Sequence, residues 1–138
     1  LDLESGNERY PEWALSWLTY VERETGVKPM IYTSASFTKY LASIGRDTDF
    51  GLWVANYKRN GNDFPKVKPE KIYGWKFWAI WQWSNGSTPY ESYVGVVPNS
   101  VDMDIFNGDR DAWIKYCRPN KPIPEPECRH CTIHCPEA

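Results

Sequence analysis

What most constrains this chain is the order of its apolar runs. MIYT at 30–33, GLWVANY at 51–57 and FWAIWQWS at 77–84 are of strand length and rich in β-branched and aromatic residues. Helical patterns are interleaved with them. From Tyr10 to Gly26, Pro11 falls in a first turn, Trp13, Trp17, Leu18 and Val21 recur at helical spacing, and Gly26 follows the last turn. A second helix is expected over 36–44, with Phe37, Tyr40, Leu41 and Ile44 on one side and Gly45 as its stop. The Gly-, Asn- and Pro-bearing stretch 58–74 reads as a long loop. VDMDIF at 101–106 alternates again and leads through a polar turn into a short helix. Strand, helix, strand, helix, strand is the order of a parallel α/β sheet or barrel, not of a sandwich.

In such sheets chemistry collects at the carboxyl ends of the strands. LDLES, IYTS, LWVANY, WQWS and VDMDIF each finish in polar or aromatic side chains, as that rule expects. LDLE, residues 1–4, adds a pair of acids. Strand side chains alternate faces, so Asp2 and Glu4 share one. Two carboxylates on a solvated edge would stay in water; at a barrel mouth, crowding and burial raise one pKa and make a proton donor near neutral pH. Their Cα atoms are roughly 6.6 Å apart, as two alternate positions on one strand must be.

Composition narrows the partners. The 138 residues carry a formal net charge of −2 with mixed signs, which gives no footprint for nucleic acid or an anionic membrane. No apolar run has the length of a membrane span. Eight Trp and nine Tyr lift the aromatic share to 16%, above what a core of this size needs, and flat faces with a polar handle suit stacking on sugar rings.

Past Tyr116 the character changes. RPNKPIPEPE is a Pro-rich extended linker, and all four cysteines lie from Cys117 onward. Cys128, Cys131 and Cys135 with His134 have the ligand types and spacing of tetrahedral zinc. Disulfides are the other reading, as an exported protein would use them. Either way, residues 1–116 form the domain and 117–138 a linker and Cys/His-rich tail.

LDLE, the helix bearing Trp13, GVKPMIYTS, LWVANY, WAIWQWS and VDMDIF, in this order and spacing, resemble the family 25 glycoside hydrolases, the barrel-type lysozymes of bacteria and phages. The resemblance runs from Leu1 to about Tyr116. It implies the C-terminal portion of a flattened β/α (TIM-like) barrel. It also implies an N-acetylmuramidase cleaving the β-1,4 bond between N-acetylmuramic acid and N-acetylglucosamine, needing no cofactor for catalysis and directed at cell walls outside the cytoplasm.

Position by position, the resemblance makes Glu4 the general acid. Asp2 becomes the neighbour that orients the substrate's N-acetyl group for attack on the anomeric carbon, and Asp102 a third acidic residue. Asp104 stands where relatives often carry Asn and ranks below Asp102. Tyr32, Trp53, Tyr57 and Gln82 match groove-lining positions, although Trp53 and Trp81 suit core packing equally well. Complete members carry further strands and another active-site aspartate ahead of LDLE. The expectation is therefore a partial barrel completed by another chain, a symmetry mate or further polypeptide, with peptidoglycan strands as the partner. A carbohydrate-binding module would keep the aromatics without needing three acids, and a barrel that has lost catalysis could serve assembly, for example in a phage particle.

Overall fold

A computed structural model of the chain describes residues 1–4, 10–57, 68–69, 71–85 and 101–117. Helix α1, Tyr10–Thr25, begins with Pro11 where the missing N–H costs no bond. It ends at Gly26, whose φ of 67° suits a residue without Cβ and whose N–H donates to the Glu22 carbonyl at 2.9 Å. Ala14 and Leu18 are its fully buried positions. Trp13, expected on the apolar side, is 52% exposed, because the stripe that meets the sheet is centred one residue further along.

Strand β1, Met30–Ser34, is followed by a 3-10 turn at Phe37–Leu41 and helix α2, Ala42–Asp47. The expected single helix is thus two elements, and Gly45 lies inside the second instead of stopping it. The reason is packing: a Cβ on Gly45 would lie 2.3–2.8 Å from three atoms of the Trp75 ring, so the glycine lets Trp75 sit against α2. Tyr40 is 41% exposed, while Phe37, Leu41 and Ile44 are buried as the pattern predicts.

Strands β2, Gly51–Ala55, and β3, Ile80–Asn85, precede β4, Asp102–Phe106, and helix α3, Arg110–Cys117. The apolar run at 77–84 becomes strand only from Ile80; Phe77 projects into solvent. Sheet order is β1-β2-β3-β4, with β1, β2 and β3 parallel and β4 antiparallel to β3. Residues 1–3 extend this sheet beside β1: Asp2 bridges Tyr32 in parallel, Tyr32 N–H donates to the Leu1 carbonyl at 2.8 Å, and Leu3 N–H to the Tyr32 carbonyl at 3.0 Å. The buried Thr33 hydroxyl adds a 2.5 Å bond to the Leu3 carbonyl.

Alternation then sorts the side chains. Leu3, Ile31, Leu52, Val54, Trp81 and Trp83 go to one face and join Ala14, Leu18, Leu41, Ile44 and Trp75 in one core. Burying each large aliphatic side chain there stabilises the fold by about 1.5–3 kcal/mol. Asp2, Tyr32, Trp53, Gln82 and Asp104 follow the register onto the opposite face. This mixed α/β arrangement is the expected fold class: α1, the 3-10 turn and α2 supply side chains to the core face, while α3 places Trp113 and Tyr116 against Phe106. No helix among the described residues is long and apolar enough to cross a membrane.

Candidate active site

An open groove of about 590 Å³ lies over that second face, lined by Asp2, Glu4, Tyr32, Trp53, Gln82 and Asp102, with Leu1 and Met30 beside them. All three expected acids therefore reach one cavity, together with three of the four expected groove residues. The fourth, Tyr57, follows the end of β2 and touches the same network: its hydroxyl donates to Gln82 Oε1 at 3.0 Å. Tyr32 donates to the same oxygen at 2.5 Å. Gln82 is 3% exposed, so one buried carbonyl oxygen organises two tyrosines from neighbouring strands.

The direction of both bonds follows from the acceptor, since a carbonyl oxygen has no proton to give. Burial, the Tyr57 hydroxyl and the Glu4 carboxylate all push the pKa of the Tyr32 phenol well above the ordinary tyrosine value. Tyr32 thus remains a donor at any physiological pH. Its ring meets Trp53 edge to face, with centroids 5.4 Å apart and planes at 80°.

Strand direction corrects one expectation. Asp102 and Asp104 were read as the carboxyl end of a strand, but β4 runs antiparallel, so the amino end of β4 brings Asp102 to the groove. A bulge between Gln82 and Ser84 shifts the register there, pairing Gln82 with Asp104 and Asn85 with Asp102. Asp104, ranked lower from sequence, accepts the Trp53 indole N–H at 2.7 Å. Burial raises its pKa, the Trp53 bond lowers it and the Asp102 charge raises it again, with a net upward shift. Its signal was present in VDMDIF, where alternation puts Asp104 on the face of Asp102.

The structure also separates the two tryptophans that sequence left open. Trp53 lines the groove, whereas Trp81 is 2% exposed in the core with its indole N–H on the Asn56 carbonyl at 3.0 Å. A second cavity, about 480 Å³, lies at the amino ends of β2 and β3 among Phe50, Trp75 and Tyr116, away from the acids. Among the described residues no group of three or more His, Cys, Asp or Glu could hold a metal. The tail positions Cys128, Cys131, His134 and Cys135 lie outside the described residues.

Comparison with known proteins bears on the fold and the family. Protein YegX of Escherichia coli O157:H7, described as uncharacterized, is 33% identical over 96 residues, covering 69% of this chain and 29% of YegX. The bacterial lysozyme from Streptomyces coelicolor superposes with a TM-score of 0.58 at 23% identity, over 87% of this chain and 54% of that one. A family GH25 lysozyme from Aspergillus fumigatus gives 0.52 at 24%, over 83% and 54%. These likenesses show the fold, and the chain spans about half the length of either lysozyme. Residues 1–90 match the family described as Glycosyl hydrolases family 25, and the chain belongs to that family.

Proposed function

We propose that the chain carries the acidic half of a lysozyme-like N-acetylmuramidase site, acting on the β-1,4 bond between N-acetylmuramic acid and N-acetylglucosamine in peptidoglycan. The observation that carries this reading is the convergence of Asp2, Glu4 and Asp102 on one groove walled by Tyr32 and Trp53. A carboxyl group to give a proton, with a second beside it and aromatic walls around both, suits glycosidic cleavage, whereas a module that only binds sugar has use for the aromatics alone.

In this mechanism Glu4 gives its proton to the departing glycosidic oxygen. Asp2 holds the N–H of the substrate's acetamido group, so that its carbonyl oxygen attacks the anomeric carbon as the bond to the leaving sugar breaks. Glu4, now a carboxylate, takes a proton from water as that water opens the cyclic intermediate, and configuration is retained. Asp102 adds a negative charge near the developing positive charge. No cofactor enters. The enzyme would work at the cell wall, outside the cytoplasm.

Digestion of purified peptidoglycan, followed by borohydride reduction and mass spectrometry, tests the reading. Reduced N-acetylmuramic acid ends support it. Reduced N-acetylglucosamine ends, or an intact wall to which the protein merely adheres, would replace it with a different bond or with a binding role.

A further inference from the structure

Asp104 and Trp53 are two strands apart, with β3 between them. Neighbouring strands lie about 4.8 Å apart, so the pair spans roughly 10 Å, and the indole must lie across β3 for its N–H to meet the carboxylate. At its other side the same ring is met by the edge-to-face contact with Tyr32. Trp53 is thus clamped by a hydrogen bond from β4 and a ring from β1, while it lines the groove.

We propose that Asp104 is a positioning residue that fixes the Trp53 ring as a wall of the groove, for a β-1,4-linked N-acetylhexosamine chain to lie against. The sugar part of this statement rests on the proposed function; the positioning part does not.

The residue type matters. A carboxylate offers acceptors on both oxygens, so either rotamer holds an indole donor, whereas an amide can turn its NH₂ toward that donor and lose the bond. A charged acceptor also makes the shorter and stronger bond, in keeping with the 2.7 Å separation. The groups facing Asp104 are Asp102 on its own strand, Gln82 opposite it on β3 and Trp53 from β2; Tyr32, Asp2 and Glu4 line the groove from the β1 side. Burial and the Asp102 charge favour the protonated form of Asp104, and the Trp53 bond opposes them. The clamp therefore loosens as Asp104 takes up a proton.

The test uses the full chain with ¹⁵N-labelled tryptophan, and Trp53→Phe identifies the Trp53 indole signal. That signal should move on acidification with a midpoint above the ordinary Asp value of about 3.9. Asp104→Asn should abolish this titration, and Asp104→Leu should shift the signal toward that of a solvent-exposed indole at every pH. Chitotetraose affinity should fall roughly tenfold in Asp104→Leu, the loss that ~1.4 kcal/mol carries, and be recovered only in part in Asp104→Asn, whose amide oxygen accepts the indole N–H in one of its two rotamers. An indole signal indifferent to pH and to Asp104→Leu overturns the proposal, as does unchanged chitotetraose affinity in Asp104→Leu when the parent binds. A parent that binds no chitotetraose while the indole titrates as expected supports the positioning role and sinks the sugar reading of the groove.

Discussion

Tyr32 and Tyr57 both donate to the single carbonyl oxygen of Gln82, at 2.5 and 3.0 Å. The arrangement ties the ends of β1 and β2 to β3 at the groove, through a side chain that is itself buried.

Loss of the Tyr57 side chain should therefore be felt by ligand more than by the fold. Tyr57 is 43% exposed, and one hydrogen bond of this kind contributes about 0.5–1.5 kcal/mol. Tyr57→Ala should lower chitotetraose affinity by more than its small effect on urea unfolding. A large stability loss with affinity intact would make Tyr57 a framework residue.

Gly45→Ala pits two effects against each other. Alanine gains up to about 1 kcal/mol of helix propensity over glycine. Its Cβ would stand 2.3–2.8 Å from the Trp75 ring, and such overpacking costs about 1–3 kcal/mol. The clash should prevail because Trp75 is itself buried and held by its indole N–H on the Phe50 carbonyl at 2.9 Å. Thermal unfolding should show a lowered midpoint; a raised one would mean that Trp75 repacks freely.

On α1 the prediction is a contrast between neighbours in the pattern. Leu18→Ala removes a fully buried side chain and should cost about 2–5 kcal/mol. Trp13→Ala, at 52% exposure, should cost far less despite deleting a larger side chain. Comparable losses in chemical denaturation would show that Trp13 is covered by something.

Asp104 links stability to pH. Its folded-state pKa is raised, so the folded chain holds this proton more tightly than the unfolded one. The associated stability is complete below the unfolded value of about 3.9 and is lost as pH rises through the folded value. Asp104→Asn, permanently neutral, should melt higher than the parent at pH 7, and the difference should close near pH 3. A variant that melts lower at pH 7 and equally at pH 3 would mean that the charged bond to Trp53 outweighs burial.

Much of this was legible in the chain. Alternation in LDLE placed Asp2 and Glu4 together, and the runs at 30–33, 51–57 and 77–84 became neighbouring strands, because period-2 patterning survives into any sheet. Strand direction was not legible: nothing local in VDMDIF says that β4 runs antiparallel, since connection geometry decides that. Nor could periodicity show that Gly45 serves Trp75, thirty residues away, instead of ending a helix. The Trp53–Asp104 bond was hidden for a related reason, because it crosses an intervening strand whose place in the sheet is a tertiary fact.

If Glu4 donates the proton in glycosidic cleavage, as proposed, Glu4→Gln removes the donor and little else. Glutamine keeps the shape and an acceptor but has no acidic proton, and general acid catalysis contributes roughly 10²- to 10⁴-fold. The measurement is the rate of reducing-end release from peptidoglycan by parent and variant, with chitotetraose affinity as a control for the intact groove. The rate should fall by at least about a hundredfold with affinity retained. A Glu4→Gln protein that cleaves at the parental rate would contradict the proposed role of Glu4.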